Sequence, residues 1–377
     1  MRLLRVAVNA EQLLYRSPGG IGRYTAQLLT VLPLLHADVE VVPFTALHRR
    51  SDVSGALHAA GCRTSPRMLP LPRPVLYDSW HALGFPPVPG RWGCDLVHAP
   101  SVAVPPRSRV PLVVTVHDAA PELYPDAFTA RGLRFHRQGI AAAAGRADVV
   151  LTVSEAAAEE VAANSPIPVS RIRVVPNGVA PVDVEAAERD SYLGALGLLE
   201  RPYVFWVGSL EPRKGVDTLV AAAAELRRRP GAPDFRLVLA GYEGWLGPDI
   251  SARAGAEQPL QLGRVTERQL WSLYAGATLF AFPSLHEGFG LPVAEAMSQG
   301  VPVLASDIPA LREVSAGAAR LVRPGAPGEW ADALCELLGS PAQRAQLSAA
   351  GRERSSHLTV EAMMSGIRAV YRELTGS

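Results

Sequence analysis

Lysine is nearly missing from this sequence: of 37 Lys plus Arg side chains, only Lys214 is a lysine. Alongside abundant alanine, glycine and proline, that scarcity reflects a GC-rich coding background rather than a structural demand, so the exception is informative. Cysteine is scarce too. Cys62, Cys94 and Cys335 are odd in number and dispersed, which excludes a disulfide framework and fits a reducing cytoplasm. Cys94 and His98 stand at a metal-like spacing, but no second ligand pair lies nearby, so no metal site is expected. No apolar run approaches the ~20 residues needed to span a bilayer. The opening MRLLRVAVNA is too short in apolar length for a secretory signal and reads as a buried strand, leaving peripheral membrane contact at most. A large charge excess is also lacking. The formal charge of +1 excludes a dedicated nucleic-acid binder. The first 180 residues hold 18 Arg against 13 acidic residues and the remainder 19 basic against 23, so the halves carry +5 and −4. The basic half could meet an anionic surface.

What is present is a long alternation. Apolar strand-like runs (RVAVNA, VEVVPFT, PLVVTVHD, ADVVLTVS, then YVFWVGS, FRLVLAGY, TLFAFPS, VPVLASD) alternate with helical stretches throughout the 377 residues. Continuous apolar strands separated by helices imply parallel sheets covered on both faces, and the length implies two such α/β domains. Residues 180–202 read as a linker with a short helix, and from about residue 359 the apolar positions fall at helical spacing. In open α/β sheets ligands bind beyond the carboxyl ends of the strands, so two doubly wound domains are expected to face a ligand cleft.

Three stretches carry candidate chemistry. A first strand runs into Gly19, Gly20 and Gly22 and then a helix, where backbone can approach a ligand and helix-start N–H groups attract phosphate. The pattern is neither the dinucleotide fingerprint nor a P-loop. In the second half a strand ends at Gly208 and Ser209, followed by Arg213 and Lys214 before a helix. Adjacent cations there can neutralise a diphosphate, arginine by forked hydrogen bonds and lysine as a point charge. In FAFPSLHEGFGLPVAEAMSQGVPVLASD, Glu287 precedes the amides of Gly288, Phe289 and Gly290, and Glu295 lies in the following helix. Carboxylates beside an anion site make sense as acceptors from sugar hydroxyls.

The last stretch resembles the E-x7-E block of retaining family 4 glycosyltransferases of GT-B fold, with Glu287 and Glu295 as its acids. GGIGRYT, VHDAAPELYPDAF, VSEAAAEEV, VVPNGV, VGSLEPRKGVDTLV and LAGY extend the likeness through nearly the whole chain. The resemblance implies two Rossmann-like domains, an acceptor-side one over 1–182 and a nucleotide-sugar-binding one over 183–358, with a helix over 359–377 returning to the first. It implies that Arg213 and Lys214 hold the donor diphosphate, Glu295 the ribose and Glu287 the transferred sugar. Gly19, Gly20, Gly208, Ser209, Val265, Gly288, Phe289, Gly290 and Leu291 complete the donor set, and His117 sits at a strand end near the sugar. The implied activity is metal-independent retaining transfer of a hexose from a nucleotide-diphosphate sugar, with no other cofactor. The GIGRYT form of the glycine loop points to GDP-mannose, and the acceptor is a glycan, a small molecule or a lipid-linked sugar at the cytoplasmic membrane face.

Two other readings remain open. An epimerase of the same fold would need further carboxylates in the first domain. A non-catalytic nucleotide-sugar-binding protein would not need the charge set for a leaving group. Arg131, Arg134 and Arg137 fall near one helical face, where they either meet an anionic acceptor or lipid or are simply solvated.

Overall fold

A computed structural model of the chain describes residues 2–16, 19–242, 250 and 257–376. The chain divides into two compact units, Met1–Gly178 with Val360–Ser377, and Val179–Thr359. The first boundary falls before the expected 182/183 because Val179 is already tied to the end of the second unit. Its N–H donates to the Leu358 carbonyl at 2.8 Å, and it bridges to Thr359.

Unit 1 holds a seven-stranded, wholly parallel sheet. Its strands are β1 (Leu4–Asn9), β2 (Val39–Thr45), β3 (Arg67–Met68), β4 (Leu96–Ala99), β5 (Leu112–Thr115), β6 (Val149–Thr152) and β7 (Ile172–Val174), in the order β3-β2-β1-β4-β5-β6-β7. Alternate residues of each strand feed opposite faces. Val6 and Val8 enter one core with Leu28, Leu32, Met364 and Ile367, while Ala7 enters the other with Leu76, Trp80 and Val104. The first core is closed by the C-terminal helix Val360–Thr375, whose buried Val360, Met363, Met364, Ile367, Val370 and Tyr371 recur at helical spacing. Arg368 and Arg372 of that helix both bond Asp38, and these bonds hold the Asp38 carboxyl well below its ordinary range. The two-residue edge strand β3 escapes sequence reading because RMLP has no apolar run to announce it.

Unit 2 holds a six-stranded parallel sheet: β8 (Tyr203–Val207), β9 (Arg236–Ala240), β10 (Leu260–Gln261), β11 (Leu279–Phe282), β12 (Val303–Ser306) and β13 (Arg320–Val322), ordered β10-β9-β8-β11-β12-β13. Each sheet reverses its winding once, between β1 and β4 in unit 1 and between β8 and β11 in unit 2. Such switch points are where loops diverge and leave a crevice beyond the strand ends. The pairing of Phe205 with Phe280 sets β8 and β11 side by side, so the loops leaving Val207 and Phe282 become neighbours although 75 residues separate them.

Candidate functional site

The switch point of unit 2 collects most of the residues singled out by the sequence. β8 runs out into Gly208 and Ser209, then a 3-10 turn over Pro212–Lys214, then the helix Val216–Arg227. Gly215 joins turn to helix at φ +61°, and a Cβ there would lie 2.1 Å from the Pro283 carbonyl oxygen. Only glycine therefore lets the β8 loop lie against the end of β11. Backbone ties lock this approach: the Leu285 N–H donates to the Arg213 carbonyl at 2.8 Å.

Lys214 Nζ consequently reaches Glu287 Oε1 at 2.7 Å, and both side chains are largely buried. Ser284 Oγ donates to the same carboxylate at 2.7 Å. Arg213 donates from Nη1 to the His286 carbonyl at 2.9 Å and lies 3.8 Å from Glu211, which also accepts a hydrogen bond from Ser209. Burial pushes the Glu287 carboxyl up, but the charges of Lys214 and Arg213 and the hydrogen bonds from Lys214 and Ser284 outweigh it, so its pKa falls below the ordinary value. Two cations and two carboxylates thus balance locally. A polyanionic ligand entering here meets cations held by short-range bonds that it can take over.

Glu295 lies in the helix Leu291–Ser298, 3% exposed, and its Oε2 accepts from the Tyr274 hydroxyl at 2.9 Å. Glu295 thus takes a hydrogen bond from Tyr274, whereas Glu287 is bonded by Lys214 and Ser284. Gly290 caps that helix at φ +95°, with a hypothetical Cβ 2.3 Å from Leu311 Cδ2. Gly288 and Phe289 are buried beside it, and Leu291 begins the helix. Val265 is half-buried, one residue before the Thr266 cap of the helix Glu267–Gly276.

The remaining candidates belong to unit 1. Gly19 and Gly20 start the helix Gly19–Leu35, and no described atom lies within 4 Å of a Cβ built on either. His117, two residues beyond β5, bonds through Nε2 to the Pro100 carbonyl at 3.0 Å, which makes Nε2 the protonated nitrogen of a neutral ring. Burial lowers its pKa. The Tyr24 ring meets it edge-on at 5.1 Å. Tyr24 in turn bonds Thr115 at 3.0 Å, Thr115 bonds His98 at 2.8 Å, and His98 bonds Tyr371 of the C-terminal helix at 2.5 Å. His98, whose spacing to Cys94 suggested a ligand pair, is therefore engaged on both ring nitrogens, and burial pushes its pKa down to about 3. Among the described residues no group of three His, Cys, Asp or Glu is placed to hold a metal ion. No helix of the described residues is long and apolar enough to cross a membrane.

Sequence reading missed Ser284, Glu211, Tyr274 and the Tyr24–Thr115–His98–Tyr371 chain. Ser284 and Glu211 could have been found from their closeness to Glu287 and Arg213 in sequence. The others had no such signal.

Two all-parallel α/β units of this kind are the architecture of GT-B glycosyltransferases. Sucrose-phosphate synthase from Thermosynechococcus elongatus superposes with a TM-score of 0.72, covering 99% of both chains at 23% identity. Anabaena HepE in complex with UDP-glucose does so at 0.73, covering 98% of this chain and 100% of that one at 19% identity. The chain belongs to the glycosyltransferases: residues 18–182 match the Glycosyltransferase Family 4 model and residues 191–354 the Glycosyl transferases group 1 model. Among relatives, O-antigen chain mannosyltransferase B of Escherichia coli is 28% identical over 331 residues, 81% of this chain and 83% of that protein. D-inositol 3-phosphate glycosyltransferase of Nocardia farcinica is 38% identical over 183 residues, 45% of this chain and 40% of that protein.

Proposed function

We propose that the protein transfers a hexose, mannose by first choice, from a nucleoside-diphosphate sugar to a hydroxylated acceptor, retaining anomeric configuration and needing neither metal nor further cofactor. The observation that carries this reading is the Lys214–Glu287 contact beside Arg213 at the unit 2 switch point. Cleaving a glycosyl diphosphate requires stabilisation of the departing charge and of an oxocarbenium-like sugar. Arg213 and Lys214 serve the diphosphate. Glu287, released from part of its bond to Lys214 when phosphate arrives, accepts from the sugar hydroxyls, and Glu295 serves the ribose. Fixed donors aimed at developing charge contribute about 3 kcal/mol each. His117 is assigned to orienting the transferred sugar through the nitrogen that Pro100 leaves available. The leaving phosphate takes the acceptor proton on the face it vacates, which accounts for retention without a protein nucleophile.

Mannose is favoured by the GIGRYT loop and by the mannosyltransferase among the relatives. The HepE complex shows that another protein of this fold takes a UDP-sugar, so the test spans both bases. Radiolabelled GDP-mannose, UDP-glucose and UDP-N-acetylglucosamine are incubated with the protein and a glycan acceptor panel. Transfer from GDP-mannose with an α-linked product supports the reading. Binding without turnover of any donor, or epimerised free donor, contradicts it.

A further inference from the structure

A cavity of about 420 Å³ opens within unit 1, lined by Tyr15, Arg73, Tyr77, Arg131, Arg134 and Phe135 among others. It is strongly cationic for its size, since Asp78 is the only acidic residue in its lining. Two helices begin at its wall, Arg73–Ala82 and Ala130–Arg146, so the positive ends of both backbone dipoles face the same space. Arg73 is fixed by stacking its guanidinium 4.4 Å over the Tyr15 ring and by Glu11, 3.9 Å from its Nε. Its Nη1 is buried with no hydrogen-bond partner among the described residues, so it is through the rest of its guanidinium that Arg73 meets the cavity it lines. The three arginines of the sequence RGLRFHR do not act together. Arg137 turns to Glu122 at 3.0 Å, whereas Arg131 and Arg134 have no ion pair among the described residues and line the cavity. Three aromatic rings, Tyr15, Tyr77 and Phe135, form part of the wall, with Tyr77 and Phe135 stacked at 5.5 Å.

We infer that this cavity is an acceptor subsite for a ring polyol carrying a phosphate monoester. Arg73, Arg131 and Arg134 take the phosphoryl oxygens, and the C–H face of the sugar or cyclitol ring lies on Tyr15, Tyr77 and Phe135. Arginine forks match phosphate geometry, and paired helix starts add to the same field. A solvated basic face would not need a concave wall of three aromatic rings, and an apolar ligand would not need three guanidinium groups. The inference rests on the transferase reading, for which it narrows the acceptor to a phosphorylated one.

The test is direct binding to the full chain, without turnover. Hexose 6-phosphate, the parent hexose and inorganic phosphate are titrated by calorimetry into wild type, Arg131→Ala/Arg134→Ala and Arg137→Ala. Hexose 6-phosphate is expected to bind at least about tenfold tighter than the hexose, as two charge-assisted bonds warrant. The double variant is expected to lose about tenfold or more in affinity, and Arg137→Ala to bind as wild type. Inorganic phosphate should compete. The inference is overturned if hexose and hexose 6-phosphate bind alike, or if binding survives the double substitution. It is equally overturned if phosphatidic acid vesicles bind through these arginines while hexose 6-phosphate does not, since the phosphate would then be a lipid headgroup. Thermal stabilisation by the nucleoside-diphosphate sugar is measured on the same variants and should be unchanged. Its absence in wild type would count against the transferase reading alone.

Discussion

The ammonium of Lys214 sits 2.7 Å from Glu287 and 5.8 Å from the centroid of the Phe282 ring, with only 15% of its side chain exposed. A planar guanidinium is wider and cannot place its charge at one point in that space, which explains why a chain otherwise emptied of lysine retains this one. Lys214→Arg is therefore expected to lower kcat about 100-fold, in the range seen when a single charge-stabilising donor is displaced. Steady-state transfer assays on folded variant protein check this, and unchanged turnover would contradict the assignment. Glu287 supplies a second prediction through pH. Its folded pKa is depressed, so the stabilisation from its pairing is present above the ordinary carboxyl value of 4.5 and is lost as pH falls through the folded value. Urea unfolding of wild type and Glu287→Gln between neutral and acid pH should show the wild-type advantage shrinking below pH 4.5.

At the scale of elements, the site depends on two loops touching where their strands end. Gly215 is the point of contact, since its left-handed backbone and the 2.1 Å approach to Pro283 leave no room for a methyl group. Gly215→Ala should cost roughly 2 kcal/mol or more, from strain and displacement of the β11 loop. It should also weaken donor binding, although residue 215 supplies no side chain. Denaturant midpoints together with calorimetric donor titration test both effects. This element was largely legible beforehand. The strand endings, the adjacent Arg213 and Lys214 and the glycines of EGFG are local patterns, and parallel topology then forces their meeting. The hydrogen-bonded chain from Tyr24 to Tyr371 was not legible, because its members lie 91, 17 and 273 residues apart pairwise and belong to unrelated local patterns. Glu295 was legible as a helix acid beside an anion site, but neither its burial nor its partner Tyr274 was: a tyrosine in a helix gives no sign of which carboxylate it will meet. Arg131, Arg134 and Arg137 show the same limit, since three-residue spacing puts them near one face yet among the described residues only Arg137 pairs with a carboxylate, Glu122, while the other two line the cavity.

Over the whole molecule the charge halves of the sequence correspond to separate sheets, with separate buried networks and different responses to acid. His98 is held neutral by burial in unit 1. The unfolded chain takes up its proton below the ordinary value of 6.5, whereas the folded chain resists until about 3, so stability falls progressively as pH drops through that window. His98→Asn should flatten this part of the pH profile while lowering stability at neutral pH by about 1–3 kcal/mol, because Tyr371 and Thr115 lose a partner. Amide exchange resolved by residue should place the acid loss in the unit 1 sheet, with the second sheet responding instead near the Glu287 range.

The most direct measurement is a crystal structure of the protein soaked with GDP-mannose. Diphosphate oxygens are expected within hydrogen-bonding distance of Arg213 and Lys214, with a sugar hydroxyl donating to Glu287 and a ribose hydroxyl to Glu295. Density for the diphosphate elsewhere, with the Lys214–Glu287 contact undisturbed, would contradict the central claim.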